Sequence, residues 1–308
     1  MSIDRVSTSA QTAFFLSQIQ NAGTALDKVQ EQIASGKNAN TYAGFGDKAQ
    51  VLTATIAANA RNTAYTNATK FAVTQTDLQD TQLASLSSLA TSLKKAVSDA
   101  VANNDATTLM TQAQSIFEQA SAILNSKDAN GDYIYSGGKT DVPPVTVGSL
   151  AALQALPAVS GAFANGNLNK SVQVADGVTV DYSLTASGVG TDLMQTLKDI
   201  AAFDAGGSGN FNAATSLSAA QNTFLTNAIA QTATASTNLN AASAANGYVS
   251  NRLTDAQTQQ ASMTTLYKGF VSDVQDTNMA EAATRLSLNQ TQLQAALQVT
   301  AGLHQLSL

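Results

Sequence analysis

Residues 278–308 read NMAEAATRLSLNQTQLQAALQVTAGLHQLSL. Met279, Leu286, Leu293 and Thr300 fall seven apart, and Ala283 and Leu297 lie four beyond the first and third of them. Leu303 is the last residue assigned to this apolar set. Such spacing lays one side of a helix along a coiled-coil seam. After Arg285 there is no Asp, Glu, Lys or Arg, so the polar side is Gln, Asn, Ser and Thr. A helix that is polar but uncharged packs against copies of itself without burying unpaired ions.

The other end of the chain has the same character. Phe15, Ile19, Ala22, Leu26, Val29 and Ile33 alternate steps of four and three, and no charged residue stands between Arg5 and Asp27. One helix is expected over 2–35, stopped by Gly36 as a left-handed C′ residue. Isolated helices are marginal in water. Each buried Leu, Ile or Phe is worth about 1.5–3 kcal/mol. Burial of these seams between subunits is therefore expected, with Phe15, Ile19, Leu26, Val29, Ile33, Met279, Leu286, Leu293, Leu297 and Leu303 as the assembly contacts. Arg5 and Arg285 border the uncharged segments, where each could pair across subunits or form a solvated rim.

Between these ends the pattern changes twice. A loop is expected over 37–47, then a helix to about 102 with Leu83, Leu86, Ala90, Leu93, Val97 and Ala100 on one side. Asp105 is a candidate N-cap for a third helix carrying Leu109, Ala113, Ile116, Ala120 and Ile123. Turn residues then surround Tyr133–Tyr135, and all three prolines, Pro143, Pro144 and Pro157, follow. Alternation on both sides of Asp176-Gly177 predicts a hairpin with a type I′ turn over 171–184. A short helix is expected near 192–203, and a long one over 212–271, disturbed at Asn246-Gly247. A short break over 273–277 separates it from the last helix.

Helices that run out before the insert must run back after it. The expected fold is mainly α: a long antiparallel helical rod or coiled coil, both termini at one end, with a small β-containing inserted domain. Its divisions are 1–46 with 272–308 for assembly, 47–142 with 211–271 as the rod, and 143–210 as the outer insert.

Composition narrows the function. The 308 residues contain no Cys, which removes thiolate metal sites and disulfides. The net charge of −6 argues against nucleic acid as a partner. No apolar run is long enough for membrane insertion, and the first fifteen residues lack the pattern of a cleaved secretory signal. The one histidine, His304, has no carboxylate within five positions, so it reads as a packing or surface residue. Gly206–Gly209 is not followed by GK[ST] and reads as a linker. Asp128, Asn130 and Asp132 have the alternate spacing of calcium ligands, but Tyr133 and Lys139 stand where an EF-hand needs Gly and Glu. A tight turn fits better. No enzyme chemistry and no cofactor or metal site is expected.

LDKVQEQIASGK (26–37) and DVQDTNMAEAATRLSLNQTQLQAAL (273–297) resemble the two terminal signatures of the bacterial flagellin family. Within that family, GDYIYSGGKTDVPPV (131–145) and YAGFG (42–46) resemble segments of the hook–filament junction proteins. Val145 stands where those proteins usually carry Phe, and the chain ends on LSL rather than an aromatic tail. The resemblance implies a structural subunit of the bacterial flagellum, extracellular, exported unfolded through the type III apparatus. Its implied partners are copies of itself in a ring or helix, neighbouring hook-associated proteins, flagellin and an export chaperone. A filament flagellin is the alternative. A surface homologue binding a polysaccharide through Phe163, Tyr182 and Phe203 is a further one. An enzymatic insert would need His and Glu, and 143–210 contains neither.

Overall fold

Long helices dominate the computed structural model, which describes the backbone of residues 3–306 and the side chains of 10–302 other than Thr12. Helix accounts for 73% of it, so the mainly α expectation holds. In chain order the helices are α1 (Ile3–Ser35), α2 (Lys48–Asn103), α3 (Leu109–Leu124), α4 (Leu150–Gln154), α5 (Ala186–Ala205), α6 (Ala219–Gln275) and α7 (Met279–Leu306). Between α4 and α5 lies a two-stranded antiparallel sheet, β1 (Ser171–Ala175) and β2 (Val178–Asp181). The chain divides into two compact units, 1–62 with 262–308, and 63–261.

In the larger unit α2 and α6 run antiparallel. Ser87 donates to Asn240 and Ser243 to Asp80, while the buried Asn246 Nδ2 reaches the Thr76 carbonyl at 2.7 Å. As one partner's number falls, the other's rises. Asn246-Gly247 does not disturb α6 as expected: the Asn246 amide is buried and satisfied inside an unbroken helix. The start of α6 also differs. It begins at 219 rather than 212 because Ser218 and Gln221 form a reciprocal capping box. The intervening residues 211–213 form a short 3-10 turn.

The buried side of α2 is the one expected: Leu83, Leu86, Ala90, Leu93, Val97 and Ala100 join α3, α5 and α6 in one core. Leu109, Ala113, Ile116 and Ala120 of α3 are buried there, with Ile123 partly so. Asp105 does not cap α3. Its carboxylate accepts from the Thr107 N–H and hydroxyl, one turn earlier, and these bonds hold its pKa below the ordinary value. Thr108 stands at the cap position instead.

Residues 133–135 do not form a strand beyond a single bridge from Tyr133 to Lys127. Burial raises the Tyr135 pKa. The loop before them is a tight turn: Asp128 Oδ1 accepts from the Asn130 and Asp132 N–H groups, and Oδ2 from Gln75.

The hairpin forms, but not with a type I′ turn. That turn needs positive φ at both central residues, and only Gly177 has it, at 73°. The register shifts between Gln173 and Ala175, so a bulge absorbs the mismatch. Val172, Val174 and Val180 pack on Ala72 and Leu253. Gln260 Nε2 ties the Val174 carbonyl to Thr69 at 2.8 and 3.0 Å, and Tyr65 donates to Asp176 at 2.6 Å.

Candidate assembly surface

In the smaller unit, α1 and α7 pack side by side. Asn38 N–H donates to Gln275 and Thr277 N–H to Gly36, so the end of α1 meets the beginning of α7 and the pair is antiparallel. Gly36, at φ 70°, ends α1 as its sequence suggests. Asn278 starts α7, its Oδ1 accepting from the Ala280 and Glu281 N–H groups.

On α1, Phe15, Ile19, Ala22, Leu26 and Ile33 are half-buried and Val29 is buried. These are the heptad positions read from the sequence, and here they occupy the side packed on α7 of the same chain. On α7 the buried and half-buried positions among the described side chains are Ala282, Leu286, Asn289, Leu293, Ala296, Thr300 and Gly302. Leu286 and Leu293 therefore lie in the seam. Met279 and Leu297 are exposed, as is Ala283, whereas Ala282 is only 2% exposed. The seam is thus turned by one residue from the expected phase. Heptads alternate steps of three and four, and the step after Leu293 can end at Ala296 or Leu297. The structure takes the small residues Ala282 and Ala296, which let α7 approach α1 closely. The side chain of Leu303 lies outside the described residues, as do those of Arg5 and His304.

What the pair leaves open is apolar on both flanks. At about 100° per residue, Leu288 and Val299 share one flank of the seam, and Met279 and Leu297 share the other. Leu288 is 56% exposed and Leu297 51%. Phe14 and Leu16 are exposed on α1, with the Phe14 ring edge-on to Phe15 at 5.8 Å. Arg285 pairs with Glu281 one turn away on its own helix. An exposed pair of this kind contributes little. Of this surface, Leu288, Val299, Phe14 and Leu16 were present in the sequence as apolar residues outside the heptad set, whereas Met279 and Leu297 stood within it.

Residues 229–308 match the family model of the bacterial flagellin C-terminal helical region. That stretch takes in most of α6, the break at Asp276–Asn278 and all of α7. Flagellar hook-associated protein 3 of Salmonella typhimurium strain LT2 is 28% identical over 144 residues, which is 46% of this chain and 45% of that protein. The match thus spans less than half the length of that relative. Two solved structures share the fold. A flagellar hook-associated protein from Vibrio parahaemolyticus has a TM-score of 0.58 at 22% identity, covering 74% of this chain and 97% of its own. Bacillus cereus FlgL has a TM-score of 0.53 at 14% identity, covering 71% and 98%.

Among the described residues no group of three or more His, Cys, Asp or Glu is placed to hold a metal ion. No described helix is long and apolar enough to cross a membrane. The aromatic residues of the insert turn inward. Phe203 stacks on Phe224 at 4.1 Å and on Phe211 at 5.5 Å, Phe163 packs on the main core, and Tyr182 lies against the hairpin cluster. They form no flat exposed platform for a sugar.

Proposed function

We propose that this chain is a non-enzymatic structural subunit of the bacterial flagellum, placed at the junction between hook and filament. One observation carries the reading: an α1–α7 pair that is uncharged over 6–26 and 286–308 leaves apolar strips on both flanks of its seam. A monomer gains nothing from exposing them, since each large apolar side chain left in water forgoes about 1.5–3 kcal/mol. Two flanking strips let every subunit meet a neighbour on either side, which closes a ring or extends a helix. In this proposal residues 1–46 and 272–308 assemble, 47–142 and 211–271 form the shaft, and 143–210 face outward. The seam residues Phe15, Ile19, Leu26, Val29, Ile33, Leu286 and Leu293 hold the pair together. Met279 and Leu297, with Leu303 beyond them, belong to the contacts between subunits.

The likeness to hook-associated proteins supports a junction subunit. The flagellin-type region of 229–308 is equally compatible with a filament subunit, the second reading. As a flagellar part the chain would be exported unfolded with a chaperone and would end outside the cell, against hook-associated proteins and flagellin. Deletion of the gene separates the two readings. Loss of a junction subunit releases filament protein into the medium from cells that still make it. Loss of the filament subunit leaves bare hooks and no filament protein in the medium, and that outcome would overturn the junction assignment.

A further inference from the structure

Away from the α1–α7 junction, over 6–26 and from 286 onward, the seam carries little that would choose its own register. Both helices repeat every seven residues, so sliding one past the other by a heptad presents similar positions to each other. Coiled coils usually penalise such slips with charged residues flanking the seam or a polar residue paired within it. The stretches 6–26 and 286–308 hold no Asp, Glu, Lys or Arg that could do so. Of the polar seam residues Asn289 and Thr300, neither is hydrogen-bonded to α1 among the described residues, the Thr300 hydroxyl donating to the Ala296 carbonyl of its own helix.

Among the described residues, the hydrogen bonds that join the two arms of the pair stand at one end of it, where 36–38 meets 274–277. Thr277 N–H donates to the Gly36 carbonyl at 2.9 Å and Asn38 N–H to the Gln275 carbonyl at 2.8 Å. Between them Lys37 and Asp276 form an antiparallel bridge. The Asn38 side chain uses every polar atom it has. Nδ2 donates to the Val274 carbonyl at 3.0 Å and the Asp276 carbonyl at 2.9 Å, and Oδ1 accepts from the Thr277 hydroxyl at 3.3 Å. Its own carbonyl accepts from Gln32 Nε2 at 2.8 Å. Asn38 thus satisfies carbonyls that the end of α6 would otherwise leave open, and it links chain segments 238 residues apart.

We propose that this clasp centred on Asn38 anchors α1 to α7 and sets the register at which their seams pair. A heptad slip moves one helix by about 10 Å, seven residues at about 1.5 Å each. That movement breaks every bond of the clasp at once, whereas the seam alone loses only one repeat at its end. The clasp supplies the selection that the uncharged seam lacks, and the pair zips outward from it. The inference concerns pairing within one chain, so it stands whether or not the pair assembles as proposed above.

A chain without cysteine allows a clean test. Spin labels on cysteines introduced at Ala34 and Gln292, both exposed, sit far apart along the pair, so the distance between them reports register. The full-length wild-type chain is expected to give one distance population in double electron–electron resonance. Asn38→Ala should add a population displaced by about 10 Å, or spread the distribution over that range. Asn38→Asp keeps the shape of the side chain and removes both N–H donors. It should do the same, and it serves if the alanine variant does not fold. Lys37→Ala keeps the backbone bridge to Asp276 and removes a side chain that takes no part in the clasp bonds, so it should leave the distribution unchanged. Amide exchange over 83–100 reports that the larger unit stays folded in each variant. An unchanged single distance in Asn38→Asp, an equal spread in Lys37→Ala, or no defined distance in the wild type would overturn the proposal.

Discussion

Removing residues 287–308 should abolish assembly and leave the larger unit folded. The deletion takes Asn289, Leu293, Ala296 and Thr300 from the seam, so the first half of α1 loses the part of α7 packed against it. Phe15, Ile19 and Ala22 then face water. A lone helix of that length with no charged pairs is marginal, so α1 should melt with the missing part of α7. Circular dichroism should lose more helix than the deleted residues account for. The core that includes Leu93, Phe117, Leu193 and Leu225 lies wholly within 63–261 and should keep its cooperative unfolding transition. A truncated chain that still assembled would remove the terminal pair from the account.

Gly137→Ala should be among the most damaging single substitutions in the larger unit. Gly137 has φ 57°, and a Cβ placed there would lie 2.0 Å from the Gly166 carbonyl oxygen. The partner is backbone, held in place by Gly166 N–H to the Ser136 carbonyl at 2.8 Å and Leu168 N–H to the Gly137 carbonyl at 3.1 Å. Neither side can yield without breaking that crossing. The left-handed conformation alone costs an alanine about 1–2 kcal/mol. With the clash, a loss of roughly 3–5 kcal/mol is expected. At roughly 2–4 °C per kcal/mol for a unit of this size, the melting temperature should fall by roughly 6–20 °C. Gly148→Ala is the control: a Cβ there meets nothing within 4 Å, and the melting temperature should barely move. Equal shifts in the two variants would refute the steric argument.

The same pair of glycines shows what the sequence made legible. Tyr135-Ser136-Gly137-Gly138 carried the resemblance to a subgroup of flagellar proteins, but its physical reason lies in residues 164–168, with no local signal to pair them. The α1 heptad was readable because Phe15, Ile19, Leu26, Val29 and Ile33 contrast sharply with their neighbours. On α7 the contrast misled, since Leu297 outweighs Ala296 in hydrophobicity while the helix packs on the smaller residue. The capping box of Ser218 and Gln221 was present as S-x-x-Q, yet apolar periodicity alone placed the start of α6 too early. Asn38 was not legible at all. Its partners stand at 274–277, and each half of the clasp looked like an independent terminal motif.

The most direct measurement for the account is assembly of a chain carrying Leu288→Glu and Leu297→Glu together. The two side chains sit on opposite flanks of the seam and are more than half exposed, so the fold of the free chain should change in stability by no more than about 0.5 kcal/mol per site. A carboxylate on each flank would have to be buried unpaired against the neighbouring subunit, at a cost of several kcal/mol. Sedimentation velocity and negative-stain microscopy should find monomers with a wild-type melting temperature and no assembled particles. Wild-type assembly by the double variant would contradict the claim that the flanks of the terminal helix pair are where subunits join.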